Sequence, residues 1–223
     1  RMGRQRIRAI AMFTGLVRGL GEVSPLGTHA VRVRCRPESC AAVMTGAALG
    51  DSIAVDGVCL TVTRLHGDGF EADVSPETLR RTRLGQGTHL ANLEPSLRVG
   101  DKLGGHFVSG HVDGTGELIA AHPSADGWEL DFSTPPAVAR YIVEKGSVAI
   151  NGISLTVAQC WDGGRRFRVA VIPLTYAETN LGQLQPGDPV NLEGDLLGKY
   201  VEKFLGRSDS AIDLAFLQTH GYA

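Results

Sequence analysis

The sequence predicts an all-β protein made of two tandem repeats of short strands. Its 223 residues allow one large domain or two small ones. Glycine contributes 29 of them, about 13% against a typical ~7%, which suits a fold with many tight turns and strand bends. Three sequence blocks recur in the same order in the second half of the chain. With 43% hydrophobic and 21% charged residues, the composition is that of a folded domain rather than a disordered chain.

The repeat is the strongest signal in the sequence. MFTGLVRGLGEV (12–23) aligns with FVSGHVDGTGEL (107–118), DSIAVDGVCLTV (51–62) with GSVAINGISLTV (146–157), and VSPETLRRTRLG (74–85) with VIPLTYAETNLG (171–182). A shorter match pairs Asn92-Leu93-Glu94 with Asn191-Leu192-Glu193. Because the order is kept and the offset drifts only from 95 to 99, the two halves are homologous. We therefore predict an N-terminal extension (1–11), a first domain (12–105), a second domain (106–195) and a C-terminal tail (196–223).

Strand signals dominate both halves. The segment 52–62 alternates and is rich in Val, Ile and Thr, and Asp56-Gly57 interrupts it where a tight hairpin turn fits. Asn151-Gly152 holds the same place in the second half. Further strands are expected at 29–34, 70–74, 128–132 and 166–172. Short strands with frequent turn signals favour a small barrel or a sandwich. One short helix per half is expected, at 37–44 and 136–144, each with proline in its first turn.

The two ends of the chain differ from the repeats. The segment 1–11 carries four arginines and no acidic residue, so we leave it out of the fold and take Met12 as the natural start. In the tail, the apolar residues of 196–205 recur at helical spacing, and a second helix is expected from Ser210. The apolar stripe would cover a barrel mouth or pack on another subunit, and its spacing does not decide between the two.

Composition argues against several classes of function. The 22 Lys and Arg residues nearly balance 24 Asp and Glu, which disfavours nucleic-acid binding. No apolar run approaches the ~20 residues that a membrane span needs. The four cysteines form no CxxC pair and indicate free thiols in the cytoplasm rather than disulfides or a zinc site. His106 and His111 lie five residues apart, but two histidines on or near a strand explain them better than a metal site. No phosphate-binding loop or nucleophile elbow is present.

Candidate functional residues stand where the halves differ, because structural demands repeat in both halves and a specialised role need not. Leu16 aligns with His111 and Cys59 aligns with Ser154. The second half therefore gathers His111, Ser154 and Thr156, which suit proton transfer and hydrogen bonding. The first half offers Cys59 and Thr61 instead. Drift between two structural copies explains these differences equally well on spacing alone.

Two matching segments run a strand into a corner that contains proline. A proline corner leaves backbone groups unpaired and free to hydrogen-bond a flat polar heterocycle, although a plain strand end would look the same. The first corner comprises Asp73, Val74, Ser75, Pro76, Glu77 and Thr78, and the second comprises Ala170, Val171, Ile172, Pro173, Leu174 and Thr175.

These residues together resemble the riboflavin synthase family, whose members contain two lumazine-binding repeats. MFTG at 12–15, DGVCLTV at 56–62, GGHFVSGHVDG at 104–114, NGISLTV at 151–157 and the ending AIDLAFLQTHGYA carry the resemblance. It implies two tandem six-stranded Greek-key barrels with short helices and a C-terminal helical tail that helps to form a homotrimer. It also implies a cytoplasmic enzyme that uses no cofactor or metal and associates with lumazine synthase.

The implied reaction is a dismutation of two 6,7-dimethyl-8-ribityllumazine molecules. One molecule transfers a four-carbon unit to the other, which gives riboflavin and 5-amino-6-ribitylamino-pyrimidinedione. The family's active site lies between the first barrel of one subunit and the second barrel of its neighbour. A duplicated domain suits a reaction that consumes two copies of one molecule, and orienting the two rings face to face should supply much of the acceleration.

Family roles are carried over residue by residue. Catalytic roles are implied for Phe13, Ser52, Cys59, His111, Ser154, Thr156 and Asp195. Substrate contacts are implied for the two proline corners and for Gly15, Leu16, Val17, Cys59, Leu60, Thr61, Gly110, His111, Val112, Lys145, Ser154, Leu155 and Thr156. We expect Cys59 and Thr61 to line the pocket of the first barrel, and residues 110–112 to join Ser154 to Thr156 in the second.

The resemblance suggests a division of labour and leaves alternatives open. His111, with Ser154 and Thr156, would move the proton of the lumazine C7 methyl group, and Cys59 would assist a nucleophile at C7 of the partner lumazine. Asn151 stands where some members have aspartate, so no carboxylate acts there. A non-catalytic lumazine or flavin antenna protein of the same fold is the main alternative. A flavoreductase-type barrel is disfavoured, because residues 140–143 do not form its Arg-x-Tyr-Ser strand and no nucleotide domain follows. An oligonucleotide-binding barrel is disfavoured by the charge.

Overall fold

The computed structural model describes residues 11–206 and contains two closed barrels of six antiparallel strands each. Barrel 1 is built from β1 (Gly19–Leu26), β2 (Ala30–Cys35), β3 (Ser52–Val55), β4 (Val58–His66), β5 (Gly69–Asp73) and β6 (His89–Pro95). Barrel 2 is built from β7 (Gly114–Ser124), β8 (Gly127–Ser133), β9 (Ser147–Ile150), β10 (Ile153–Trp161), β11 (Arg166–Val171) and β12 (Pro189–Gly194). The strand order β1-β2-β5-β4-β3-β6 recurs as β7-β8-β11-β10-β9-β12. The predicted all-β pair of six-stranded barrels is confirmed.

Within residues 11–206, five short α-helices accompany the strands. They are α1 (Pro37–Met44), α2 (Pro76–Arg81), α3 (Pro136–Ala139), α4 (Pro173–Glu178) and α5 (Leu196–Leu205). The prediction for α1 is confirmed, whereas the predicted helix over 136–144 is too long. Beyond Ala139 the chain makes tight turns, in which Tyr141 N donates to Val138 O and Ile142 N to Ala139 O, and then enters β9. The predicted helix from Ser210 lies outside the described residues.

Several elements were not predicted. Glycines interrupt the hydrophobic pattern of β1 and β7, and β6 and β12 lie beside loops rich in Gly and Pro, so none of these four strands was expected. The two proline corners do end strands as predicted, but each proline also opens a helix, α2 or α4. Proline favours the first turn of a helix because its missing N–H would have no partner there.

The hairpin turns between the central strands form the contact of the two barrels. Asp56 and Gly57 have φ of 47° and 75°, and Asn151 and Gly152 have 46° and 78°, as expected for the predicted tight turns. A Cβ on Gly57 would lie 2.7 Å from Gly152 N, and a Cβ on Gly152 would lie 2.7 Å from Gly57 N. Both glycines are therefore needed for the backbones to approach this closely.

A buried polar network fixes this contact. Asp56 Oδ1 accepts hydrogen bonds from Asn92 N and Asn180 Nδ2, both at 2.8 Å. Asn92 Nδ2 donates to Asn151 O at 2.9 Å, and Asn191 Nδ2 donates to Asp56 O at 2.8 Å. Each barrel thus holds the turn of the other through asparagine side chains. Because buried amides must be paired, the network fixes the relative placement of the barrels.

The helix α5 leaves barrel 2 with an apolar face uncovered. Asp195 caps its first turn by accepting from Leu197 N at 3.0 Å, and Lys199 pairs with Asp113 at 2.7 Å. Five apolar side chains are each more than half exposed: Leu197, Tyr200, Val201, Phe204 and Leu205. The predicted helical stripe in the tail is confirmed. Among residues 11–206, no helix is long and apolar enough to cross a membrane.

Candidate functional site

The two halves exchange their leading segments. Phe13 and Val108 form an antiparallel bridge between the barrels, in which Phe13 N donates to Val108 O at 2.8 Å and Val108 N donates to Phe13 O at 3.1 Å. From this bridge the first half's segment 14–17 runs to barrel 2, and the second half's segment 109–112 runs to barrel 1. We call these two stretches the exchanged segments.

Each exchanged segment pairs with a strand that carries candidate polar residues. Ser154 N in β10 donates to Gly15 O at 2.8 Å, and Cys59 N in β4 donates to Gly110 O at 2.9 Å. Val17 packs against the core of barrel 2, and Val112, the matching residue of the second half, packs against the core of barrel 1. Each candidate pocket is therefore assembled from both halves of the chain.

Two buried glutamates hold the exchanged segments in place. Glu94 Oε1 accepts from N and Oγ1 of Thr14, both at 2.7 Å, and its Oε2 accepts from Gly15 N at 3.0 Å. Glu193 makes the same three bonds, to Ser109 N and Oγ at 2.7 Å and to Gly110 N at 3.0 Å. Burial raises the pKa of both carboxyl groups, although these hydrogen bonds act in the opposite direction. The repeated Asn-Leu-Glu sequence marked these glutamates, but their role was not predicted.

Glycine is required where each exchanged segment touches its strand. Gly15 has a φ of +75° and Gly110 a φ of +79°, which L side chains rarely adopt. A Cβ on Gly15 would lie 2.6 Å from Ser154 N, and a Cβ on Gly110 would lie 2.9 Å from Cys59 N. The Thr-Gly and Ser-Gly pairs of the repeat thus serve a close backbone approach.

The exchange corrects the predicted grouping of the pocket residues. The prediction that His111 shares the pocket of barrel 2 with Ser154 and Thr156 is wrong within one chain. The segment 109–112 lies on barrel 1 beside Cys59, and the segment 15–17 lies on barrel 2 beside Ser154. The repeat alignment assigns each segment to a half of the sequence, but it carries no information about which barrel the segment covers.

The polar pairs on the two matching strands lie on the outer side of each barrel. Leu60 in β4 and Leu155 in β10 are buried in the barrel cores, so their side chains cannot contact a ligand outside the barrel. Strand alternation places Cys59 with the exposed Thr61 on the opposite face, and Ser154 with the exposed Thr156 in the same way. The structure therefore presents a thiol and a hydroxyl on barrel 1, and two hydroxyls on barrel 2.

Ser52 and Cys59 interact at barrel 1. Ser52 pairs with Thr61 across β3 and β4, which places its hydroxyl near the Cys59 thiol. Burial raises the pKa of Cys59, with the Ser52 contact acting in the opposite direction. Cys59 is therefore a thiol rather than a thiolate at neutral pH, which makes it a weak nucleophile of its own.

The proline corner of barrel 1 borders an open groove of about 530 Å³. Residues 73–76 form one wall of the groove, and Leu26, His29 and Ala30 form the other. Val74 N donates to His29 O at 2.7 Å, and Ser75 Oγ caps α2 by accepting from Thr78 N at 3.1 Å. His29 was not among the predicted site residues, because nothing in its own sequence segment marks it.

The same place in barrel 2 is filled by an aromatic stack. Trp128, which the strand register aligns with His29, stacks on Tyr176 of α4 with ring centroids 4.3 Å apart. Beyond the stack, Ile172 and Leu174 of the second corner are each more than half exposed. The two corners thus share a backbone path but present different surfaces.

The remaining predicted residues lie at separate places. Phe13 is fully buried in the small cluster between the barrels, so its side chain is not placed to touch a ligand. Lys145 has a φ of +64°, and its Nζ donates to Ala158 O at 3.1 Å. The matching residue of the first half is Gly50, whose φ is +90°. A non-glycine residue in this strained conformation is typical of functional positions. Asp195 caps α5.

His106 is a candidate site residue that was not predicted from the sequence. Its Nδ1 lies 2.7 Å from Ser154 Oγ, although it precedes the exchanged segment by only three residues. From the sequence, His106 was noted only as half of a metal pair with His111, and the exchange separates those two histidines onto different barrels. Within residues 11–206, no group of three or more His, Cys, Asp or Glu side chains is placed to hold a metal ion.

Comparisons with known proteins agree with this architecture. The model of the lumazine binding domain family matches residues 14–95 and 109–195, one copy for each barrel. Riboflavin synthase of Actinobacillus pleuropneumoniae is 42% identical over 221 residues, covering 95% of this chain and all of the relative. The Mycobacterium tuberculosis (strain H37Rv) riboflavin synthase is 47% identical over 201 residues, covering 87% and 98%. The Bacillus subtilis (strain 168) riboflavin synthase is 34% identical over 220 residues, covering 95% and 100%.

Solved structures with the same fold are more distant in sequence. LumP complexed with riboflavin superposes with a TM-score of 0.70 at 23% identity, covering 82% of this chain and 98% of LumP. LumP complexed with 6,7-dimethyl-8-(1′-D-ribityl)lumazine gives a TM-score of 0.68 at 22% identity with the same coverage. At this identity the likeness establishes the two-barrel fold alone. The family match and the sequence relatives show that the chain belongs to the riboflavin synthase family and carries the lumazine-binding domain twice.

Proposed function

We propose that this chain is a riboflavin synthase, a transferase that dismutates two 6,7-dimethyl-8-ribityllumazine molecules. The observation that carries the proposal is that each exchanged segment pairs with a central strand, and that the outward-facing polar residues of the two strands differ. We expect each of these places to form one substrate pocket together with the proline corner of its barrel. Two equivalent places suit two copies of one substrate, and the Cys59-to-Ser154 difference lets donor and acceptor be treated differently.

The pocket on barrel 1 combines Cys59, Thr61 and the exchanged segment with His111. His111 N donates to Ser109 Oγ at 3.2 Å, and the residue is exposed. An exposed imidazole can exchange protons near neutral pH. We therefore assign the proton transfer at the lumazine methyl group to His111 of one subunit with Ser154 and Thr156 of a neighbouring one.

A homotrimer would bring the two kinds of pocket together. Within one chain, Cys59 and Ser154 lie on different barrels, and each is covered by the exchanged segment of the other half. We therefore expect the pocket on barrel 1 of one subunit to be completed by the pocket on barrel 2 of a neighbouring subunit. The uncovered apolar face of α5 supplies a surface for such an assembly. The proposal includes a cytoplasmic location, in keeping with the free thiols, and association with lumazine synthase.

The test of this function is direct. The purified protein is incubated with 6,7-dimethyl-8-ribityllumazine alone, and riboflavin is followed by its absorbance. Sustained riboflavin formation supports the proposal. Tight binding of the lumazine without riboflavin would instead assign the chain to the antenna proteins of the same fold. A solution mass that stays monomeric at high protein concentration would contradict the intersubunit site.

A further inference from the structure

His106 is held against barrel 2 by its backbone as well as by its side chain. Its N–H donates to Thr14 O at 3.2 Å, and its Nδ1 lies 2.7 Å from Ser154 Oγ. A Cβ on the preceding Gly105 would lie 2.7 Å from Ser154 Cβ and 2.8 Å from Ser154 Oγ. Glycine at 105 is therefore what allows the chain to bring His106 this close to the serine.

The far nitrogen of the ring has no protein partner. His106 Nε2 is buried and makes no hydrogen bond within residues 11–206. Burial lowers the pKa of His106, with the charge of Asp195 acting in the opposite direction. The imidazole is therefore neutral near pH 7, so one ring nitrogen carries the proton and the other can accept a hydrogen bond. Among the described residues, Ser154 is the side chain whose contact can select between these two tautomers.

This contact exists in only one of the two pockets. At the repeat positions 95 residues earlier stand Ala11 and Cys59, which cannot form it. Structural needs of the barrel are met in both halves, so a contact present in one half alone is not explained by the fold. The His106–Ser154 pair is the most specific polar difference between the two pockets.

We propose that His106 is a positioning residue for the reaction, which fixes the Ser154 hydroxyl and accepts its proton. This inference rests on the proposed function and deepens it: of His111, Ser154 and Thr156, it assigns the C7 methyl proton to Ser154, and it names His106 as the group that takes the proton of the Ser154 hydroxyl. In the step, the C7 methyl group of a bound lumazine gives a proton to Ser154 Oγ, while the proton of Ser154 passes to His106 Nδ1. The electron pair of the broken C–H bond stays on the lumazine and delocalises into its ring. The imidazole becomes imidazolium, which the charge of Asp195 stabilises, and the reverse transfer restores both groups.

The test separates proton removal from turnover. The exchange of the lumazine methyl protons for deuterium in D₂O is followed by NMR, and the rate in buffer alone is subtracted. This exchange rate reports proton removal itself, whereas riboflavin formation gives kcat and KM. We expect His106→Ala and Ser154→Ala each to lower the exchange rate and kcat about 100-fold, with KM changed less than about threefold. Because the two residues act as one unit, the double variant should be no slower than either single variant.

A conservative variant and a matched control complete the design. His106→Asn keeps an acceptor for the Ser154 hydroxyl but cannot take up the proton, so it should bind lumazine as the wild type does and leave the exchange slow. It also carries the test if His106→Ala fails to fold. His66→Asn, which changes a histidine bonded to Glu71 on barrel 1, should leave exchange and kcat unchanged.

Three results would overturn the inference: wild-type exchange in His106→Ala, full activity in His106→Asn, or additive losses in the double variant. Wild-type protein that binds lumazine and exchanges its methyl protons but makes no riboflavin would refute the proposed function alone. In that case the exchange rates of the variants still decide the role of His106.

Discussion

The substitution Asn180→Ala should loosen the contact between the two barrels. Asn180 lies in the second half, yet its Nδ2 donates to Asp56 Oδ1 at 2.8 Å and to Leu90 O at 3.2 Å in barrel 1. Its Oδ1 accepts from Asn92 Nδ2 at 2.9 Å and from Asn151 Nδ2 at 3.3 Å. One side chain therefore makes four hydrogen bonds, three of them to the other half and three of them fully buried.

The magnitude follows from these bonds. A neutral buried hydrogen bond contributes roughly 0.5–1.5 kcal/mol, and one to a charged group roughly 1.5–3 kcal/mol. Asp56 Oδ1 keeps Asn92 N as a donor, and Asn92 Nδ2 keeps Asn151 O as an acceptor, so the loss is smaller than the full sum. We expect Asn180→Ala to lower the free energy of unfolding by about 3 kcal/mol.

Urea unfolding at fixed protein concentration measures this loss, since an oligomer's apparent stability depends on concentration. Gln183→Ala is the matched control, because Gln183 lies in the same 3₁₀ turn and is exposed. We expect that control to change the free energy of unfolding by less than about 0.5 kcal/mol. A loss below about 1 kcal/mol in Asn180→Ala would show that the polar network does not fix the barrels as argued.

Three further predictions concern the exchanged segment, His106 and a buried thiol. Gly15→Ala should lower the rate of riboflavin formation at least about tenfold, because the added Cβ would overlap Ser154. Gly27→Ala is the control, since Gly27 has φ +65° but open space around it; it should lower the free energy of unfolding by only about 1 kcal/mol and leave the activity unchanged. The folded state favours neutral His106, because burial lowers its pKa. This contribution to the free energy of unfolding is complete above the unfolded pKa and is lost as pH falls through the lowered folded pKa. Urea unfolding at about pH 7.5 and about pH 5 should therefore show that acid lowers the free energy of unfolding more in wild type than in His106→Asn. Burial raises the pKa of Cys35 to about 12, so native protein at about pH 8 should leave Cys35 unmodified by an aromatic disulfide reagent that labels it in urea.

The repeat made the number and kind of domains predictable. Tight-turn residues at Asp56-Gly57 and Asn151-Gly152, flanked by alternating strands, mark the same hairpin twice, and the structure forms both. Local sequence carries this information because positive φ at two successive positions restricts the residue types. The strands β1 and β7 were missed because their glycines, needed for close packing, break the alternation that identifies a strand.

The composition of each pocket was not predictable in the same way. The alignment of Leu16 with His111 compares the two exchanged segments correctly, but the exchange places each one on the opposite barrel. Which barrel a segment covers depends on long-range contacts, such as Glu94 with Thr14 and Ser154 with Gly15, that leave no local pattern.

His106 was missed for a related reason. It stands in a glycine-rich loop between the repeats, where the sequence indicates only turns. Its position against Ser154 comes from the close approach of Gly105, which is visible only in three dimensions. The aromatic stack of Trp128 on Tyr176 likewise joins residues far apart in the chain, so spacing gave no sign of it.

If two pockets of one fold act on two molecules of one substrate, the stoichiometry of turnover must be fixed. It is measured by quantifying the 6,7-dimethyl-8-ribityllumazine consumed and the riboflavin formed in the same reaction. We expect one riboflavin for every two lumazine molecules consumed, with many riboflavin molecules formed per protein chain. Lumazine that is bound but not consumed, or a product yield that stops at one per chain, would contradict it.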